Sequence, residues 1–177
     1  MSFIKEKIKI TCDNLFAAAN KHLFDIENIE YLKSDGYKTD NTFPTDGWQP
    51  LVSGTPLVGN DDHYWFRCSF KTPPAKKNVS YYVKVDDGMG PAWTAITPQG
   101  ILYLNGEMVQ GIDGNHKEVF LQPDTEYVMH NYYYLGLQNY RIFHSVKMFE
   151  LRELPEQLYY DMKVAYDSII LSHENSN

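Results

Sequence analysis

Hydrophobic and polar positions follow two different periods along the chain. Ile4, Ile8, Leu15, Phe16, Ala19 and Leu23 recur at helical spacing, which predicts one or two amphipathic helices within residues 2–31. Thr11 and Asp13 are suited to interrupt or cap between them. Residues 33–62 are rich in Gly, Pro, Asp, Asn and Thr and read as loop with short extended pieces. The period then becomes two. In YWFRCSFK, residues 64–71, Tyr64, Phe66, Cys68 and Phe70 share one face, and Trp65, Arg67, Ser69 and Lys71 the other. Pro73-Pro74 ends that strand. In VSYYVKV, residues 79–85, Val79, Tyr81, Val83 and Val85 fall on one side, and Asp86-Asp87-Gly88 turns the chain. The segment ILYL-NG-EMVQ, residues 101–110, predicts a tight hairpin, because Asn105-Gly106 suits the two positive-φ positions of a type I′ turn. Further strands are expected at 116–121, 127–135 and 140–151. A helix follows: Pro155 suits its first turn, and Leu158, Met162, Ala165 and Ile169 form a stripe flanked by Tyr159, Tyr166 and Ile170.

This pattern predicts a mainly β chain, an antiparallel β-sandwich with a helix at either end. The boundaries read as an N-terminal helical segment at 1–32, a sandwich at 33–154 and a C-terminal helix at 155–177. A length of 177 residues suits one such domain with a sizeable core. The charge balance of 16 Lys and Arg against 23 Asp and Glu gives −7, which disfavours nucleic acid and anionic membranes as partners. No apolar run approaches the ~18 residues of a membrane span, and the start lacks the apolar run of a signal peptide. A cytoplasmic location is therefore expected. Cys12 and Cys68 are too few for a disulfide framework, and Cys68 reads as core.

Most catalytic motifs fail on inspection. Gly54–Gly59 has the glycine spacing of a phosphate loop but is followed by Asn60-Asp61 instead of Lys and a hydroxyl residue. Asp61, Asp62 and His63, and separately Asp113 and His116, offer two plausible metal ligands each, short of the three or four a site needs, so solvated loop polarity is the better reading. The pairs Asp61-Asp62 and Asp86-Asp87 are adjacent, which suits turns better than a catalytic dyad facing across a sugar. Aromatic residues make up 15% of the chain, and a β-rich core accounts for most of them. Trp48, Trp65 and Trp93 sit beside Gly, Pro or turn residues, where rings can face a groove. Trp65 and Arg67 share the face opposite the apolar one, compatible with a ligand surface or a domain interface.

Three blocks together resemble the amino-terminal region of cytosolic-type α-mannosidases of glycoside hydrolase family 38. They are DDHYWFRCSFKTPP at 61–74, GILYLNGEMVQGIDGNHKEVFL at 100–121 and ELPEQLYYDMKVAYDSIIL at 153–171, with Asp46-Gly47-Trp48 upstream. The resemblance implies a galactose-binding-domain-like, jelly-roll sandwich. It also implies a separate catalytic domain carrying a divalent metal such as zinc and an aspartate nucleophile. The His-x-Asp-x-Ala-Trp type of motif expected of that domain is not in this sequence, so no catalytic residue, metal site or cofactor is assigned here and the chain is expected to be a fragment or isolated domain. The resemblance carries over to Trp65, Phe66, Arg67, Asn105, Gly106, Glu107, Gln110, Gly111, Asp113, Asn115 and His116. Of these, Trp65, Arg67, Gln110, Asp113, Asn115 and His116 are the candidates for contacting a glycan or the catalytic domain, a choice the residues leave open. The implied function is a non-catalytic accessory domain that positions the catalytic domain of the same polypeptide and contacts mannose-containing oligosaccharide. Two alternatives stand beside it. One is a free-standing carbohydrate-binding module, since the WFR and LNGE patterns are also similar to sugar-binding domains of β-galactosidase-type enzymes. The other is an interaction domain that self-associates through the stripe of the last helix.

Overall fold

The structure, a computed structural model, describes residues 2–36, 42–89 and 98–174. Helix α1 spans Ser2–Ala19 and ends where the Asn20 side-chain amide donates to the Phe16 carbonyl at 3.0 Å. One helix therefore lies within the expected region 2–31, and it is shorter than the 1–32 helical segment. Residues Asn20–Asp25 form β1, which pairs antiparallel with β12 (Ser145–Arg152), and Glu30–Ser34 form β2, which pairs with β5 (His63–Lys71). Helical spacing of a few apolar residues lost to the ladder hydrogen bonds of two sheet neighbours, and the sandwich begins at Asn20.

Two antiparallel sheets carry the fold. With β6 (Val79–Asp86) and β9 (Glu118–Leu121), the four-stranded sheet has the order β1-β12-β6-β9. The six-stranded sheet runs β3-β2-β5-β10-β7-β8, where β3 is Gln49–Pro50, β7 Gln99–Leu104, β8 Glu107–Ile112 and β10 Glu126–Tyr134. A ribbon of β4 (Leu57–Gly59) and β11 (Tyr140–Ile142) lies beside them. The period-two faces hold. Tyr81, Val83 and Val85 meet Tyr64, Phe66 and Cys68 in one buried cluster, which also holds Leu102, Met129 and Met148. Phe66 is wholly buried, so truncating it to Ala would cost about 3–5 kcal/mol.

The hairpin also holds. Asn105 and Gly106 have φ of 51° and 89°, and Leu104 faces Glu107. Asn105 further locks this turn to β10, accepting from the Val128 amide at 2.8 Å and donating to the Glu126 carbonyl at 3.2 Å. Between the pairs Tyr103–Met108 and Leu102–Gln110 the register shifts, leaving Val109 as an extra residue in β8.

Helix α2 spans Glu153–Glu174, starting two residues before Pro155, with Glu153 and Glu156 suiting its positive end. It packs on α1, where Phe16 meets Tyr159 at 5.3 Å between centroids. The less exposed apolar positions of α2 are Pro155, Tyr159, Met162, Tyr166 and Ile170, so the packed seam is rotated from the expected stripe; Leu158 and Ala165 are exposed, and the Ile169 side chain lies outside the described residues.

Polar side chains are buried as well, His144 among them. The His144 ring is 4% exposed and lies parallel to Phe66 with centroids 3.7 Å apart. Its Nε2 lies 3.3 Å from the Asn131 side-chain amide. Burial pushes its pKa down to about 3. The folded pKa lies below the unfolded one, so the stability tied to neutral His144 is complete above about pH 6.5 and is lost as pH falls towards 3. Urea melts of wild type and His144→Gln should diverge in slope over that window, wild type losing up to about 1.4 kcal/mol more per pH unit. Parallel pH profiles would contradict a buried neutral imidazole.

Candidate functional site

The six residues singled out by sequence do not form one site. Strand order separates β5, which carries Trp65 and Arg67, from β8 by two strands, about 14 Å at the usual ~4.8 Å spacing. Trp65 is 4% exposed and packed with Tyr103 and Tyr132 under Phe43 and Trp48. It has no open face for a sugar, and its ring serves packing. The cause is the segment through Phe43 and Trp48, which folds over the outer face of the six-stranded sheet and buries its aromatic positions. Trp93 lies outside the described residues.

The loop residues after the hairpin serve local structure. The Gln110 amide donates to the Glu118 carbonyl at 3.1 Å, clasping β8 of one sheet to β9 of the other. The Asp113 carboxylate accepts from the Asn115 amide at 2.7 Å and the His116 amide at 2.9 Å, and lies 3.0 Å from His116 Nδ1. These bonds, the Asn115 amide foremost, hold its pKa below the usual carboxylate range. Gln110, Asp113 and His116 border a shallow hollow of about 390 Å³, while Asn115 borders a different one of about 450 Å³ beside Lys84 and Asp86.

Among the described residues, no three His, Cys, Asp or Glu side chains are grouped to hold a metal. The expected solvated reading of His63 is corrected. The residue is buried, its Nδ1 lies 2.7 Å from the Tyr132 hydroxyl, and its ring stacks on Tyr132 and Tyr134. Burial lowers its pKa. Asp62 pairs with Lys33 at 2.7 Å, and Asp61 accepts from the Tyr134 hydroxyl at 3.0 Å.

Asp86-Asp87 is likewise more than a solvated turn. Asp87 is buried and accepts from the Tyr133 hydroxyl at 2.6 Å, from Lys117 Nζ at 3.0 Å and from the Met89 amide at 2.9 Å. Lys117, 8% exposed, also donates to Asp86 at 2.7 Å and to the Met89 carbonyl at 2.6 Å, so its three protons have three acceptors. Burial by itself would lower the Lys117 pKa; the bonds to Asp86 and Asp87 outweigh it and hold the ammonium above its ordinary range. The signal was in the alternation. Asp87 continues the inward phase of Val83 and Val85, and Lys117 that of Val119 and Leu121.

One hollow holds Arg67. It measures about 560 Å³ and opens where β2 leaves β5, with Ile29, Leu51 and Val128 among its apolar walls. Arg67 Nε donates to Glu30 at 2.6 Å, and its guanidinium lies 4.4 Å from the Trp48 ring centroid. The Trp48 indole N–H is itself fixed on the Pro44 carbonyl at 3.1 Å. Sequence reasoning found Arg67 but paired it with the wrong tryptophan. Trp48 is remote in sequence and was marked only as a ring able to face a groove, not as the partner of Arg67.

No family model matches the chain, and no curated protein matches it. Among solved structures, the chain is similar to a β-glucuronidase from Ruminococcus gnavus in complex with D-glucuronic acid, at 13% identity and a TM-score of 0.44, over 75% of this chain and 30% of that one. It is also similar to the crystal structure of Ruminococcus gnavus β-glucuronidase, at 12% and 0.46 over 75% and 29%. A third is Bacteroides uniformis β-glucuronidase 2 covalently bound to cyclophellitol-6-carboxylate aziridine, at 13% and 0.43 over 74% and 18%. The chain thus spans less than a third of the length of each. With TM-scores below 0.5, the fold assignment rests on the sheets and registers described above. No helix among the described residues is long and apolar enough to cross a membrane.

Removing the buried ammonium should be costly. Lys117→Met leaves Asp86 and Asp87 without their cation and is expected to destabilise the fold by about 3–5 kcal/mol at pH 7. Adding Asp87→Asn should recover part of the loss. Chemical denaturation of the single and double variants checks this, and additive losses would show that the two groups do not interact.

Proposed function

We propose that this chain is a non-catalytic accessory sandwich of a carbohydrate-processing enzyme, and that the enzyme is an α-mannosidase of the family 38 type. The finer assignment is supported by the three sequence blocks. The accessory role is supported by one observation: the distinctive polar residues of the central block are spent on holding the molecule together. Asn105 locks the hairpin to β10, Gln110 clasps the sheets, Asp113 ties its own loop and Lys117 bridges two aspartates. Groups committed in this way support a shape instead of a turnover. The aspartate nucleophile and divalent metal implied by the resemblance then belong to a separate catalytic domain.

The helix pair suits contact with that domain. Phe3, Ile4, Leu154, Leu158 and Val164 are exposed apolar residues of α1 and α2. A second copy of this chain is the competing occupant of this face. Sedimentation of the isolated chain separates the two, with a monomer expected and a stable dimer favouring self-association.

The catalytic test is direct. Incubated with an aryl α-mannoside and added zinc or cobalt, the chain should release no aryl product above the protein-free rate. Turnover at an enzyme-like rate, abolished by substituting a carboxylate of this chain, would overturn the accessory reading.

A further inference from the structure

We infer that the hollow beside Arg67 is a binding site for a neutral polyhydroxylated ring, a hexose or comparable polyol. The inference deepens the proposed function and rests on it for the source of the ligand, while the chemistry stands on the hollow itself. A volume of about 560 Å³ lies within the ordinary range for small-molecule sites, roughly 300–1,000 Å³. Apolar walls at Ile29, Leu51 and Val128 offer contact for a C–H face.

The polar groups at the rim form a complementary set. Arg67 commits only Nε, to Glu30, and has no acceptor for either Nη group among the described residues. Glu30 uses one carboxylate oxygen in that bond and keeps the other. Asn28 donates its amide N–H groups to the Ser69 carbonyl and hydroxyl, at 3.0 and 3.2 Å, and keeps its side-chain oxygen as an acceptor. Donors and acceptors thus stand side by side. A hydroxyl can accept from the guanidinium while donating to the carboxylate, and a vicinal pair can engage both Nη groups at once. The guanidinium is held in place before any ligand arrives, by Glu30 through Nε and by the Trp48 ring that it lies over, which reduces the ordering cost of binding.

Charge narrows the class. Glu27 and Glu30 against Arg67 give the lining a formal charge of −1, one cation minus two anions, on a chain of −7. A uronate or phosphate would gain one guanidinium and meet two carboxylates, whereas a neutral ring has no such penalty.

Isothermal titration of the full chain with methyl α-D-mannopyranoside, methyl β-D-galactopyranoside and D-glucuronate tests this at low salt and neutral pH. Saturable binding of at least one neutral glycoside is expected, with D-glucuronate at least about tenfold weaker. Arg67→Lys keeps the charge but loses the planar fork, and should weaken binding by about tenfold or more. Asn28→Ala, at an exposed loop position, should weaken it by a smaller factor with the melting temperature nearly unchanged, which covers the case of a poorly folding Arg67 variant. His116→Ala, on the separate hollow, should bind like wild type. No saturable heat with any glycoside, binding unaltered by both Arg67→Lys and Asn28→Ala, or tighter binding of D-glucuronate would each overturn the inference. None of these outcomes depends on mannoside hydrolysis, so the accessory reading and the binding site stand or fall separately.

Discussion

The end of the sandwich is organised around one ammonium group. Lys117 enters from the start of β9, Asp86 and Asp87 lie at and just beyond the end of β6, and Tyr133 reaches Asp87 from β10 of the opposite sheet. A single buried carboxylate therefore joins both layers. Its desolvation is offset only because charge and hydrogen bonds are satisfied together, which ties the arrangement to one backbone geometry. The main-chain carbonyl of Asp87 extends the hub by accepting from the Phe143 amide at 2.8 Å, next to the buried His144.

Much of the architecture was legible where burial is one-sided. Alternation identified β5 and β6, and Asn105-Gly106 identified the hairpin, because local turn chemistry and side-chain phase both act over a few residues. Edge strand β1 was hidden: its exposure pattern has no clean alternation, and its place is decided by β12, more than a hundred residues away. The burial of Trp65 was hidden for a similar reason, since a segment that reads as loop supplies the cover. In the final helix the apolar residues were identified correctly, but α1 selected a neighbouring seam, which spacing within one helix does not specify.

The same contrast separates framework from function. Polar residues close in sequence, such as Asp113, Asn115 and His116, drew attention as a cluster and proved to be bound largely to one another. A group with unused hydrogen-bonding capacity, Arg67, is surrounded from two distant segments, one bringing Asn28 and Glu30 and the other Trp48. Long-range assembly of this kind leaves little trace in spacing. It becomes visible only when each donor and acceptor is followed to its partner.

The extra residue in β8 has a consequence for how these molecules meet one another. Val109 interrupts the ladder on the free margin of the larger sheet, beside exposed Met108. Without that irregularity, the outermost strand would offer a straight run of unpaired amides and carbonyls with greasy side chains alongside, a template on which a stray polypeptide could dock and propagate. The local kink and added twist spoil the repeat that such stacking needs, so crowded copies of the chain are kept from zipping together along that border.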